Sequence, residues 1–423
     1  METRGGRTAF GAILVFAMAI GAYTQFLLGM LAPYMIEDLG ITRTQFGAVV
    51  TTSFLVGSVG APVLGPLVDR LGGRRVLILM FLSGAIGWVG ISLAPTFGWV
   101  LAFVVFGGIV RGISNPVGNK LIGSNAPREA QGVIMGISKS GAQVGQFAIG
   151  AIVPLIIVAL GWRGVMGGSV VLAAAGITAA LVIIPPDPPI DRRRRGSGER
   201  SAELDGLRSL MVWLSANALL VGFASGAINS YVPLFAIERL GMNISSAGAV
   251  VSAMALSGIA GRVLWGRQAD WFRDTQTPLM VISALGGVTL VLLTLSALLG
   301  WQSLLWAGAV GWTATGGSWI TIGMLAIVRE VPLGISGRVS GFVLATFYIG
   351  LGLAPVTFGW IVDTTESYAV AWGVGAVSYF AAAAVVLRWR IEVRAAKAAE
   401  SASTDRPPDP SSDAPSDPPG ASR

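Results

Sequence analysis

The chain has 423 residues, 53% of them hydrophobic and only 12% charged; a soluble domain carries about twice that charged share, so a water-soluble globular protein is excluded. There is no Cys and no His, which removes disulfides, thiolate nucleophiles, Cys-bound metals and the usual near-neutral proton relay, and no metal or cofactor is expected. The net charge of +7 reads as Arg distributed along one side of a membrane and calls for no nucleic-acid partner.

Apolar runs of bilayer-spanning length recur at about 8–31, 45–67, 76–94, 97–121, 131–159, 164–184, 209–230, 245–266, 278–299, 302–328, 338–362 and 368–388. Each is predicted helical, because a lipid-exposed backbone must satisfy its own hydrogen bonds. The first run, behind Arg4 and Arg7, is too long for the apolar core of a signal peptide and lacks a small-residue cleavage site, so it reads as an uncleaved first helix. With the N-terminus inside, Arg70, Arg74, Arg75, Arg128, Arg192 to Arg195, Arg267, Arg273, Arg329, Arg338, Arg388, Arg390 and Arg394 fall on the cytoplasmic side, against Arg43, Arg163 and Arg239 outside. Both termini are therefore placed in the cytoplasm.

Between the second and third runs stands Gly65-Pro-Leu-Val-Asp69-Arg70-Leu-Gly72-Gly-Arg74-Arg75. It resembles the signature loop between helices 2 and 3 of the major facilitator superfamily, the twelve-helix secondary transporters. The resemblance implies an all-α polytopic membrane protein with twelve transmembrane helices in two pseudo-symmetric six-helix halves. It also implies an inner gate formed by Asp69, Arg70 and Arg74 with Gly65, and by Asp270 in the second half. An internal repeat agrees: Gly40, Gly47, Gly57, Gly60, Gly65 and Asp69 recur as Gly241, Gly248, Gly258, Gly261, Gly266 and Asp270, always 201 residues on. The expected organisation is 1–184 for the first half, 185–208 for a basic cytoplasmic linker around Asp191-Arg-Arg-Arg-Arg195, 209–395 for the second half, and a Ser-, Asp- and Pro-rich disordered tail from 396 to 423.

The acids sit in loops, tails or last turns of the runs, Glu37, Asp38, Asp69, Asp270 and Asp363 among them, and none lies at mid-membrane. Four basic residues lie deeper: Arg111, Lys139, Arg262 and, near an inner end, Lys120. A charge left in lipid costs at least about 3 kcal/mol, so cations facing a cavity without internal anions point to an anionic substrate. Lys120 and Arg262 also sit where a long side chain reaches the interface.

In the fourth run, Arg111, Asn115 and Asn119 fall on one face at i, i+4 and i+8, and Pro116 between them is expected to kink the helix. The superfamily's Arg-x-x-Gln-Gly pattern has Gly108 at its Arg position here and Arg111 at its Gln position. The fifth run reads Gly136-Ile-Ser-Lys139-Ser-Gly141-Ala-Gln143-Val-Gly145-Gln146 and ends Pro154 to Gly161-Trp162-Arg163. Its Gln146 replaces the Pro of the drug-exporter motif. From Asn119 to Arg163 the chain resembles the cyanate-permease-like branch, which implies a small anion. In the eighth run, Arg262-x-x-x-Gly266 resembles the monocarboxylate and oxalate–formate branch, where such an Arg meets a substrate carboxylate. Substrate contacts are accordingly expected at Arg111, Asn115, Asn119, Lys139, Gln143 and Arg262.

The expected activity is secondary active transport of a small anion by alternating access, by a monomer in the plasma membrane, with a coupling proton or counter-anion as a further partner. A drug exporter of the same superfamily and a non-transporting sensor that keeps the fold are the alternatives. An enzyme is disfavoured: the chain offers no nucleophile–base pair, buried acid pair or nucleotide loop.

Overall fold

The structure, a computed structural model of the chain, describes residues 4–125, 131–186, 208–268, 274–331 and 336–404, and within them the side chains of 59–67 and 69, among others, lie outside the description. The regular structure of these stretches is helical. α1 (Arg4–Leu39), α2 (Arg43–Leu71), α3 (Gly73–Ser92), α4 (Phe97–Asn125), α5 (Gln131–Lys139), α6 (Gly141–Gly168) and α7 (Val170–Ile183) precede the linker. α8 (Arg208–Gly226), α9 (Ile228–Glu238), α10 (Ile244–Gln268), α11 (Gln276–Leu299), α12 (Gln302–Ala314), α13 (Trp319–Glu330), α14 (Ser336–Thr365) and α15 (Tyr368–Thr404) follow it.

Among the described residues, nine stretches are long and apolar enough to cross a membrane. One of them, Ile134–Ile183, is long enough for two passes and turns back at Gly161, whose φ of +63° is open to glycine. α2 and the broken pair α12–α13 supply the remaining passes, so each predicted run is matched by a helix or a helix pair. The repeat is visible in the backbone: Gly40 and Gly241 hold φ of +60° and +61° at corresponding helix ends.

Two expectations are corrected. The signature stretch is helical for most of its length: α2 runs to Leu71, the Gly72 N–H closes on the Val68 carbonyl, and the turn is Gly72 alone, with φ +91°. Gly65, Asp69 and Arg70 thus stand in the last turns of a helix. The last helix continues to Thr404, into the stretch expected to be disordered, because Ala395-Ala396-Lys397-Ala398-Ala399-Glu400 are strong helix formers. The linker from 187 to 207, the tail beyond 404, and Asp270 lie outside the described residues.

Three of the passes are broken at depth. α5 gives way to α6 at Ser140, α8 to α9 at Ala227, and α12 to α13 through Thr315 and a single 3-10 turn, Gly316–Ser318. At membrane depth such breaks are tolerated where the backbone is buried in protein or lines a water-filled space.

The first six passes meet the last six along three seams, each with glycine at the crossing. A Cβ on Gly29 of α1 would stand 2.6 Å from the Asn229 carbonyl oxygen, one on Gly47 of α2 would stand 2.3 Å from that of Pro355 in α14, and one on Gly150 of α6 would stand 2.5 Å from that of Gly248 in α10. Small residues allow this backbone approach, and dispersion rewards it where lipid offers no hydrophobic drive.

At the end of the seam where α2 begins and α14 ends, polar groups tie it. Thr42 and Gln45 close a capping box on α2, with bonds of 3.1 and 2.9 Å. Asp363, near the end of α14, accepts the backbone N–H of Arg43 at 3.2 Å, that of Thr44 at 2.7 Å, and the Thr44 hydroxyl. An acid from one half therefore sits on the positive end of a helix from the other. Arg43 adds a 2.8 Å ion pair to Glu238 of α9, which also accepts the Tyr368 hydroxyl at 2.6 Å. Tyr231 donates to the Arg43 carbonyl at 2.7 Å and lies 3.0 Å from that of Pro355. These contacts hold the two sets of passes together at this end.

Candidate functional site

Arg111 projects from α4 into the interior between the two sets of passes. Gly57 of α2 makes room for its stem: a Cβ there would stand 2.9 Å from Arg111 Cδ. The guanidinium donates Nη2–H to Gln25 Oε1 of α1 at 2.6 Å, and its Cζ sits 4.3 Å from the centre of the Phe54 ring. A planar cation over an aromatic face is held without a counter-charge. Tyr348 of α14 lies near enough to interact electrostatically with it. Behind Tyr348, Phe347 stacks on Trp319 at 5.0 Å, and Trp319 Nε1–H donates to Asn217 at 2.7 Å, which fixes that wall.

One and two turns beyond Arg111, Asn115 and Asn119 both turn their amide oxygens to Lys139, the last residue of α5. Lys139 Nζ donates to Asn115 Oδ1 and reaches Asn119 Oδ1 at 3.4 Å. All three are exposed, though they stand within apolar spans, and they continue the stripe that begins at Arg111. Gln143 follows one turn after Lys139. It is buried, its Oε1 has no partner, and its Cγ lies 3.8 Å from where a Cβ on Gly258 of α10 would be. Gln146 donates across the seam to Asn229 at 3.3 Å. Arg262 is half-buried on α10, one turn beyond Gly258.

Among the described residues, the ion pairs of the carboxylates lie elsewhere. Asp38 pairs with Arg163, Glu238 and Asp363 with Arg43, Asp274 with Arg390, and Glu392 with Arg388. Arg111 and Lys139 rest on neutral amides. Chemically this wall offers N–H donors and positive charge, and no carboxylate is ion-paired to it among the described residues.

The structure thus gathers Arg111, Asn115, Asn119, Lys139 and Gln143 on one wall and sets Arg262 on the facing helix. Of the residues expected at the inner gate, Arg70 is exposed and Arg74 donates Nη2–H to the Leu181 carbonyl of α7 at 2.7 Å, a bond within the first six passes. The side chains of Gly65 and Asp69 are outside the description. Sequence reasoning did not single out Phe54 or Tyr348, and left Gln25 unranked among the polar residues of the first run. Gln25 is a lone amide in an apolar run, which is a usable signal, whereas an aromatic residue in a membrane helix carries none.

The Gly161-Trp162-Arg163 stretch has a structural role. Arg163 pairs with Asp38 at 2.8 Å, donates to the carbonyls of Ala94 at 2.7 Å and Ser92 at 3.2 Å, and stacks 4.4 Å from the Trp162 ring, while Trp162 donates to Asp38 at 3.1 Å. It fastens the ends of α1 and α3 to the Gly161 turn, away from the cations. A separate cavity of about 300 Å3, lined by Ile149, Val153, Ile156 and Leu172, has only Tyr23 and Ser169 as polar lining and bears no charge.

The family model described as Major Facilitator Superfamily matches residues 14–343. The chain belongs to the major facilitator superfamily. This superfamily comprises transporters, not enzymes, and its members are multi-pass membrane proteins. Among relatives, this member is 25% identical over 380 residues to the probable nitrate/nitrite transporter NarK2 of Mycobacterium tuberculosis, covering 86% of this chain and 91% of that one. It is 23% identical over 388 residues to the gentisate transporter of Corynebacterium glutamicum, covering 89% and 84%. Among solved structures, a D-xylose–proton symporter aligns with a TM-score of 0.75 at 14% identity, covering 90% of this chain and 97% of that one. A bacterial homologue of the lysosomal transporter Spinster, inward-facing and unoccupied, aligns with a TM-score of 0.69 at 17% identity, covering 92% and 96%. Both structural likenesses speak to the fold alone.

Proposed function

We propose that this superfamily member carries a small anion, an inorganic oxyanion, a cyanate-like ion or an organic carboxylate, by alternating access in the plasma membrane. It works as a monomer with both termini in the cytoplasm, its two six-helix halves, 1–184 and 209–395, rocking about the site. Arg111, Lys139, Arg262, Asn115, Asn119 and Gln143 contact the substrate. One observation carries this reading: Arg111 in the interior, and Lys139 exposed beside it within an apolar span, rest on neutral partners, with no carboxylate ion-paired to either among the described residues. A buried cation without an anion is costly, and an anionic cargo supplies the missing charge. Transport of nitrate, nitrite or gentisate is a property of the relatives; that the named cargoes are small anions supports the substrate class here. At the cytoplasmic end, Asp69, Arg70, Arg74, Gly65 and Asp270 are assigned to the inner gate.

The test is uptake into proteoliposomes of radiolabelled nitrate, nitrite, cyanate, formate and benzoate, with glycerol as a neutral control. Wild type accumulates at least one anion and not glycerol. Loss of the charge-assisted contact at Arg111→Gln, worth about 1.5–3 kcal/mol, lowers kcat/KM by roughly 10- to 150-fold. Equal transport of glycerol and anions by wild type and variant alike overturns the reading.

A further inference from the structure

We infer that Lys139 and Arg262 face each other across the inner mouth as a pair of like charges, so that this mouth closes only around an anion and the carrier runs as an anion exchanger. This rests on the anion reading above and adds the mode of transport. α6 and α10 run antiparallel along their seam. Gly150 meets Gly248, the Ser252 hydroxyl donates to the Phe147 carbonyl at 3.2 Å, and Gln143 meets Gly258. Toward the cytoplasm the register continues: one helical turn back from Gln143 is Lys139, and one turn on from Gly258 is Arg262. Ser140, between α5 and α6, keeps right-handed helical angles, so the phase is not lost at the break. Lys139 is exposed and Arg262 half-buried, as expected of an open mouth, and no carboxylate is ion-paired to either among the described residues.

Rocking the halves to seal the cytoplasmic side drives these two cations together. Two unit charges about 6 Å apart, at an effective dielectric of about 20, disfavour the closed state roughly 100-fold. An anion between them reverses the sign. The empty carrier therefore stays open inward, and the loaded one returns.

The chain has no Cys, so spin labels can be placed without background. Gly136 and Gly266 are exposed, lie one turn further along the same register, and have open space around them. The pair Gly136→Cys and Gly266→Cys is labelled and its distance distribution measured in a zwitterionic buffer with no added carboxylate or inorganic oxyanion. A single long distance is expected. Arg262→Gln or Lys139→Gln should raise the short-distance population at least 10-fold without added anion, whereas Lys139→Arg should leave it unchanged. In proteoliposomes, labelled uptake of whichever probe anion is carried should rise at least 10-fold when the same unlabelled anion is preloaded inside, and this ratio should fall toward one in Arg262→Gln. Identical distance distributions in wild type and both charge-removing variants overturn the inference. That readout needs no cargo, so its failure is separable from failure of the anion reading, which would appear as absence of uptake of every probe by wild type.

Discussion

Asp363 offers a direct measure of what holds the outer side shut. It receives two backbone N–H groups and one hydroxyl at the start of α2, an N-cap interaction made across the two halves. Losing an N-cap acceptor costs about 1 kcal/mol, and losing the negative charge at a helix N-terminus costs a further 0.3–1 kcal/mol or so. Asp363→Asn keeps one acceptor and loses the charge, which gives about 1–2 kcal/mol, or roughly 5- to 30-fold in the ratio of outward-open to outward-closed protein. The contact exists only when the rim is closed, so the cost falls on that state. Thr51, buried in the same seam and accepting the Val356 N–H at 3.3 Å, is a suitable reporter. A Thr51→Cys background should react slowly with an impermeant maleimide added outside. Adding Asp363→Asn should speed the reaction by the same 5- to 30-fold, and Asp363→Ala by somewhat more. Equal rates with and without Asp363→Asn would refute the reasoning, since the cap would then contribute nothing to closure.

Other outcomes follow from the same contacts. Gly248→Leu places a side chain where a Cβ already stands 2.3 Å from the Gly150 carbonyl, so transport should fall at least tenfold while folded, monodisperse protein is still recovered by size-exclusion chromatography. Arg163→Ala removes a partly exposed ion pair and two carbonyl contacts; it should cost about 1–2 kcal/mol of stability, seen in thermal unfolding, with KM for the carried anion unchanged. Burial pushes the Asp274 carboxyl up, but bonds from Thr277 and the nearby Arg390 and Arg394 outweigh it and hold the group below the usual carboxylate range. Its contribution is complete above the unfolded carboxylate value and is lost as pH falls through the lower folded one, so the melting temperature of Asp274→Asn should depend less steeply on pH below about 4 than that of wild type.

The passes were legible because lipid imposes one rule on backbone and side chains alike, and the repeat was legible because Gly40 and Gly241 must both adopt a left-handed conformation. Arg111, Asn115 and Asn119 could be set on one face because helical spacing is a local property. Their neighbours were less accessible. Gln25 and Phe54 approach Arg111 from two other helices, and only tertiary packing decides which of many apolar or amide residues is the one that arrives. The outer latch was hidden for the same reason: Arg43, Glu238 and Asp363 are hundreds of residues apart, and each alone reads as a loop charge. The Gly161-Trp162-Arg163 stretch shows the opposite hazard, since a pattern that suggested a substrate branch proves to fasten Asp38 and the Ala94 turn. In the helix-2 signature, Gly72 alone carried the turn because the residues before it had no reason to leave the helix.

Gly150 and Gly248 touch with nothing protruding from either. Packed helices ordinarily mesh like gears, ridge seated in groove, and one can tilt against the other only when some side chain jumps to a new rotamer. A toothless crossing imposes no such jump and leaves the waist of the molecule free to swivel. The height of the barrier between its two orientations is then decided at the rims, by the acid that clasps α2 outside and the cations that repel inside, and evolution can adjust the speed of this carrier there without disturbing its axle.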